Sequence, residues 1–248
     1  WQAGVDLMPP PSLTPAAARE LRALIRAKIG EGPKISILHG DPDQRILDLA
    51  RRRLPDLIVV GTHARGGLKR IVLGSTAEAV IQGSPVPVLA ARGRVRPIRS
   101  ILAPVNFTPY SEYGFNYAAA AAAVLPARLT VLHVTDDPVW GGNIPYRLSN
   151  LIKRLPAKVL KSCRPAAETA VGAAVPEILK ARRGQDWIVL VAHGKSLVKD
   201  AFFGTTLERV LRGSSIPVLS VPAPAREFYG LRVSGSGPAA RGRSLILK

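Results

Sequence analysis

The chain has 248 residues, 47% of them apolar and 21% charged, the balance of a globular protein that can bury one large core or two small ones. Its single cysteine, Cys163, excludes an intrachain disulfide framework and a thiolate metal cluster, and the four histidines (His39, His63, His133, His193) fall in no metal-ligand spacing. The net charge of +18 invites polyanions, yet the basic residues are scattered and only 5% of residues are aromatic, too few for a stacking surface, so nucleic acid is not the expected partner.

In chain order, the patterning predicts a helix over 15–29, a strand over 34–39 and a helix over 43–53. An apolar run over 56–60 follows, continuous rather than alternating, as in a strand buried on both faces of a parallel sheet. A loop with His63, Lys69 and Arg70 leads to Gly74-Ser75-Thr76, whose hydroxyls suit a helix start, and a strand is expected over 86–90. A fuller series comes next: strand 100–106, alanine-rich helix 111–125, strand 128–134, helix 144–160, a weak strand near 168–171 and helix 175–183. It closes with strand 186–190, a loop containing His193, Lys195 and Lys199, a helix opened by Gly204-Thr205-Thr206, and strand 217–221. No stretch approaches the ~20 apolar residues of a membrane span, so no membrane association is expected. With one cysteine, the cytoplasm is the expected location.

Two parts of this series are the same part. His63 and His193, Gly74 and Gly204, Glu78 and Glu208, Val80 and Val210, and the triplets Pro87-Val88-Leu89 and Pro217-Val218-Leu219 are all separated by 130 residues. A run of matches in one register is an internal duplication. Strands alternating with helices then give the fold class: α/β, two tandem doubly wound parallel-sheet units of strand order 3-2-1-4-5. The first unit lacks an opening strand–helix–strand and is expected to be incomplete, the chain reading as shortened at its start by about one βαβ unit of ~30 residues. The expected domains are 1–93 and 98–222, with a disordered basic tail over 223–248. The last strands, 86–90 and 217–221, each present an edge that needs covering.

The loop before each closing helix carries a further pattern. The second copy reads Val191-Ala192-His193-Gly194, nine residues, then Gly204-Thr205; the first reads Gly61-Thr62-His63-Ala64, nine residues, then Gly74-Ser75. With the opening strand Ile101-Leu102-Ala103-Pro104-Val105-Asn106 and the later Leu132-His133-Val134, the chain resembles the universal stress protein family. ATP-binding members of that family carry G-x2-G-x9-G-[ST] between strand 4 and helix 4. Glycines there let backbone N–H groups approach an anion, and a helix N-terminus adds partial positive charge.

The resemblance implies a stress-response regulator that binds an adenine nucleotide such as ATP, with Mg²⁺, as a small-molecule ligand. It places the base near Pro104, Val105, Asn106 and Val134, and the phosphates over Gly194, Gly204, Thr205 and Thr206. A degenerate first-copy counterpart is Gly61, Gly74, Ser75 and Thr76. The resemblance also implies that the last strands, 86–90 and 217–221, pair edge to edge, as an intrachain pseudo-dimer or in a homo-oligomer. Three departures weigh against an intact site: Asn106 stands where the family has aspartate, Val191 where it has glycine, and Ala64 where it has glycine. The alternative is a stress-protein module that has lost nucleotide binding and acts through dimerisation or protein–protein contact. No general base or metal-binding carboxylate pair recurs at a fixed offset, so regulation by binding is expected rather than turnover, and His63 and His193 are read as loop residues.

Overall fold

The computed structural model describes residues 38–62, 73–92, 96–136, 143–192 and 205–223, with isolated positions at 19, 20, 23, 27 and 36. The helix expected over 15–29, both His63 and His193, and the tail beyond 223 therefore fall wholly or largely outside the described residues, as do 34, 35 and 37 of the strand expected over 34–39, whose described residues 36, 38 and 39 are not in a strand.

The described part of the first copy comprises α1 (Pro42–Arg53), β1 (Ile58–Gly61), α2 (Ser75–Gly83) and β2 (Val88–Ala91). α1 starts with proline at its first position, where the missing N–H is no loss, and ends on Arg51, Arg52 and Arg53, whose charge suits a helix C-terminus. The second copy comprises β3 (Ser100–Val105), α3 (Pro109–Val124), β4 (Arg128–Thr135), α4 (Ile144–Lys153), α5 (Ala157–Cys163) and β5 (Ala166–Val171). It continues with α6 (Ala174–Ala181), β6 (Trp187–Ala192), α7 (Thr205–Gly213) and β7 (Val218–Pro222).

One expectation needs correcting. The single helix over 144–160 is two, α4 and α5, divided at Pro156, which has extended backbone (ψ 143) and opens α5 as its cap residue. Proline has no N–H to continue the α4 ladder, and its ring disfavours helical backbone just before it.

Among the described residues seven strands form one sheet in the order β1-β2-β7-β6-β3-β4-β5. The second copy alone reads β5-β4-β3-β6-β7, the 3-2-1-4-5 order, with all its pairings parallel. β5 begins two residues before its expected start and runs in full register with β4, from Ala166 opposite Thr130 to Val171 opposite Thr135. In the first copy, β1 and β2 are likewise parallel. The copies meet at an antiparallel join, β2 against β7, with Val88 opposite Ser220, Leu89 opposite Leu219 and Ala90 opposite Val218. Leu89 and Leu219 are equivalent residues of the repeat, so the join is self-complementary about their midpoint. Each closing strand covers what would otherwise be the other's open edge.

The alternation of β3 sorts its side chains between two cores. Ile101, Ala103 and Val105 face one that is covered by Phe115, Ala118, Ala119 and Ala122 of α3, Leu148 and Leu151 of α4 and Cys163 of α5. Leu102 faces the other, beneath Ala77, Val80 and Ile81 of α2, Val175 and Ile178 of α6, and Leu207, Val210 and Leu211 of α7. The alanine run is thus the close-packed face of α3, with Ala118, Ala119 and Ala122 fully buried. Burial also pushes the Cys163 thiol up, away from the reactive thiolate. Among the described residues no helix is long and apolar enough to cross a membrane.

Polar groups fasten the two copies. Arg92, just past β2 and buried, donates from Nη1 to Ser214 O (2.8 Å) and from Nη2 to Leu211 O (2.5 Å), carbonyls at the end of α7. Arg212 of α7 reaches Glu208 on its own helix and both carboxylate oxygens of the equivalent Glu78 on α2. Ser84 and Ser214, also equivalent, close identical turns: each hydroxyl donates to the carbonyl two residues on and accepts from that residue's N–H.

Candidate functional site

The site is built where the sheet's connections change sides. β3 and β6 are neighbours. From the end of β3 the chain passes to α3 on one face, and from β6 it passes to α7 on the other. The diverging helices leave a crevice at the carboxyl ends of the two strands, the place where open α/β sheets hold ligands.

A cavity of about 220 Å³ occupies that crevice. Pro104 and Val105 of β3, Leu132 and Val134 of β4, and Val189, Leu190 and Val191 of β6 line it from the sheet. Ala174 and Ile178 of α6 and Thr206 and Leu207 of α7 form one wall; Asn106, Thr108, Tyr110, Ser111 and Gly114 form the other. None of these described lining residues is charged. The start of α7 nevertheless brings orphan backbone N–H groups and the positive end of a helix dipole to the cavity.

The Asn106 turn is held by a closed set of bonds. Asn106 Oδ1 accepts from Thr108 N–H (3.3 Å) and Thr108 Oγ1–H (2.7 Å). Thr108 Oγ1 in turn accepts from Ser111 N–H (3.3 Å), capping α3, while Ser111 Oγ accepts from Asn106 N–H (3.2 Å) and donates to Thr108 O (3.0 Å). Pro109 takes the first helical position. The turn holds Phe107 at φ 57, in the left-handed region that a bulky residue adopts only when its surroundings impose it. Those surroundings include the His133 ring (centroids 4.6 Å apart) and the Arg147 guanidinium, 4.0 Å above the Phe107 ring. His133 Nδ1 lies 2.8 Å from Val105 O; because a carbonyl only accepts, Nδ1 carries the hydrogen.

Five of the expected site residues come together at this cavity: Pro104, Val105, Asn106, Val134 and Thr206. Thr205 begins α7, and Gly194 and Gly204 lie outside the described residues. His133 is separated from its neighbours Leu132 and Val134: they line the cavity, while strand alternation turns His133 to Phe107 on the opposite side. The degenerate first-copy set lies at the end of β1 (Gly61) and the start of α2 (Gly74, Ser75, Thr76) and lines neither this cavity nor a second one of about 230 Å³ at the other end of the sheet. A Cβ on Gly61 or Gly74 would meet nothing within 4 Å among the described residues, whose packing therefore does not require glycine at either place.

Sequence reasoning missed Gly114, and the structure shows its use. A Cβ there would lie 2.6 Å from Cγ2 of Val191. The valine that replaces the expected glycine therefore seats a methyl in a notch on α3. Gly114→Ala should accordingly destabilise the protein by about 1–3 kcal/mol by overpacking, although alanine is ordinarily the better helix former. Thermal unfolding of Gly114→Ala, Val191→Ala and the double variant checks this, the double variant losing less than the sum of the two.

Comparison with known proteins agrees with this architecture. The model of the universal stress protein family matches residues 2–92 and again 97–222. A universal stress protein of Methanocaldococcus jannaschii is 45% identical over 56 residues, 23% of this chain and 33% of that protein. The stress response protein NhaX of Bacillus subtilis is 34% identical over 73 residues, 29% of this chain and 43% of that protein. This chain thus aligns with less than half the length of either relative. Among solved structures, a universal stress protein from Archaeoglobus fulgidus superposes with a TM-score of 0.67 at 22% identity, covering 84% of this chain and 77% of that one, a likeness of fold. A duplicated α/β unit, joined through its closing strands and matched twice by one family model, belongs to the universal stress protein family.

Proposed function

We propose that the second copy binds a nucleotide such as ATP in the crevice between β3 and β6, and that the protein regulates by this binding rather than by turnover. The observation that carries the reading is the coincidence of the crevice, the strand-end residues Pro104, Val105, Asn106 and Val134, and the start of α7 in one cavity. An apolar floor suits a planar base; the helix start suits phosphate. Lys195 and Lys199 stand in the chain between β6 and α7. Among the described residues no three His, Cys, Asp or Glu side chains are grouped to hold a metal, so Mg²⁺ would arrive with the phosphates it neutralises.

A second reading, a module that acts only through protein contacts, draws on Val191, whose side chain occupies part of the crevice wall. Thermal unfolding with ATP and magnesium separates the two. At a nucleotide concentration of about 100 Kd the expected stabilisation is about 2.7 kcal/mol. Gly204→Val, which sets a side chain at the approach to α7, should abolish that gain. A melting temperature unmoved by millimolar ATP in the parent favours the contact module.

A further inference from the structure

Arginines far apart in the sequence meet where the second copy's parallel strands begin. Arg99 precedes β3 and Arg128 opens β4, and they are neighbours, with Arg128 N–H donating to Arg99 O (2.8 Å). Arg164 lies two residues before Ala166, which pairs with Thr130, so it falls level with Arg128. On the other side of β3, Ser100 Oγ lies 3.0 Å from Gly184 O, which brings Arg183, just past α6, to the same edge. Arg96 lines the second cavity with Asp186, whose Oδ2 accepts from Arg99 N–H (2.9 Å) and Ser100 N–H (3.0 Å). All five arginine side chains are exposed, and their guanidinium groups make no hydrogen bond or ion pair among the described residues. Arg164 and Arg183 stand at helix ends, where a cation offsets the partial negative charge. Arg96, Arg99 and Arg128 precede or open strands and have no such use.

We infer that this edge binds the phosphodiester backbone of a nucleic acid duplex without reading its bases. It lies at the opposite end of the strands from the crevice and does not rest on the nucleotide reading. Neighbouring strands are about 4.8 Å apart, so Arg99, Arg128 and Arg164 form a row about 10 Å long on a rigid sheet. A duplex carries one charge per ~1.7 Å of its axis and offers such a row several phosphates. Guanidinium forks match phosphate oxygens better than ammonium groups do. The exposed tyrosines, Tyr113 and Tyr146, lie toward the starts of α3 and α4, at the other end of the sheet, and cannot stack an unpaired base here. Val124, exposed at the close of α3, is a small apolar anchor for a membrane surface.

The test measures binding of a fluorescently labelled DNA duplex of about 20 base pairs to the full chain by anisotropy, over a series of salt concentrations. For the parent, the logarithm of the affinity against that of salt should have a slope of about −4, as when four or five phosphates are neutralised. The triple variant Arg96→Gln, Arg99→Gln, Arg128→Gln should bring the slope to about −1.5 and weaken binding at least about tenfold at fixed salt. Each single variant should take about 0.9 from the slope, which keeps the test open should the triple fold poorly. The comparison is Arg51→Gln, Arg52→Gln, Arg53→Gln at the end of α1 in the first copy, an equal change of net charge. It should leave the affinity within about threefold of the parent, because screening confines the effect of distant charges. No binding of the duplex by the parent, or equal weakening in the two triples, overturns the inference. Binding of the parent to vesicles of phosphatidylserine and phosphatidylcholine, but not to DNA, overturns it in favour of a membrane surface.

Discussion

Arg92→Met should destabilise the protein by about 2–3 kcal/mol and lower its melting temperature by roughly 5–10 °C. Arg92 is 8% exposed, and its guanidinium satisfies two carbonyls at the end of α7 that the helix itself leaves without partners. Methionine fills similar space but donates nothing, so both carbonyls lose their bonds. Part of that loss is offset, since burying the guanidinium is itself costly: desolvation holds the Arg92 pKa below its ordinary value, and Nε has no partner among the described residues. Position 222, the equivalent of Arg92 in the second copy, is proline, so the clamp runs only from the first copy to the second. Hydrogen exchange should show β1, α2 and β2 opening ahead of the second copy in the variant. Arg92→Lys, which keeps the charge but loses the fork, should fall between parent and Arg92→Met. A melting temperature within 1 °C of the parent for Arg92→Met would show that β2–β7 pairing and apolar packing hold the copies together unaided.

How much of this was legible beforehand follows from which contacts are local. The duplication could be read directly, because strands buried on both faces appear as continuous apolar runs, and these recur in one register from Asp56 to Leu89 and from Asp186 to Leu219. Strand order followed from the fold class, and the β2–β7 join from the resemblance to the family. The helix over 144–160 was misread because its apolar period continues across Pro156; only the proline marks the break. The Asn106 turn was not read: Thr108-Pro109 starts the helix two residues before the expected 111, and the bond from Thr108 back to Asn106, which fixes the amide, is a matter of geometry. Two features had no sequence signal at all. Gly114 and Val191 lie far apart in the chain and meet only when α3 packs on β6. Arg92 looks like one more basic residue in a chain of net charge +18, and its role appears only when the first copy is laid against α7.

The claim on which the functional account rests is that the crevice between β3 and β6 takes the nucleotide, and Ala174 gives the most direct way to test it. Ala174 is exposed at the start of α6 yet lines the cavity, so a larger side chain there enters the ligand's space without entering either core. Ala174→Trp should leave the melting temperature within about 2 °C of the parent, as surface substitutions usually do. Its affinity for ATP with magnesium should fall at least about tenfold, because a cavity of about 220 Å³ cannot hold both an indole and a purine. Calorimetric titration of parent and variant at one fixed salt concentration is the measurement. Binding in the parent that is lost in Ala174→Trp places the ligand in this crevice; equal affinity of the two, or no binding by the parent, contradicts the account.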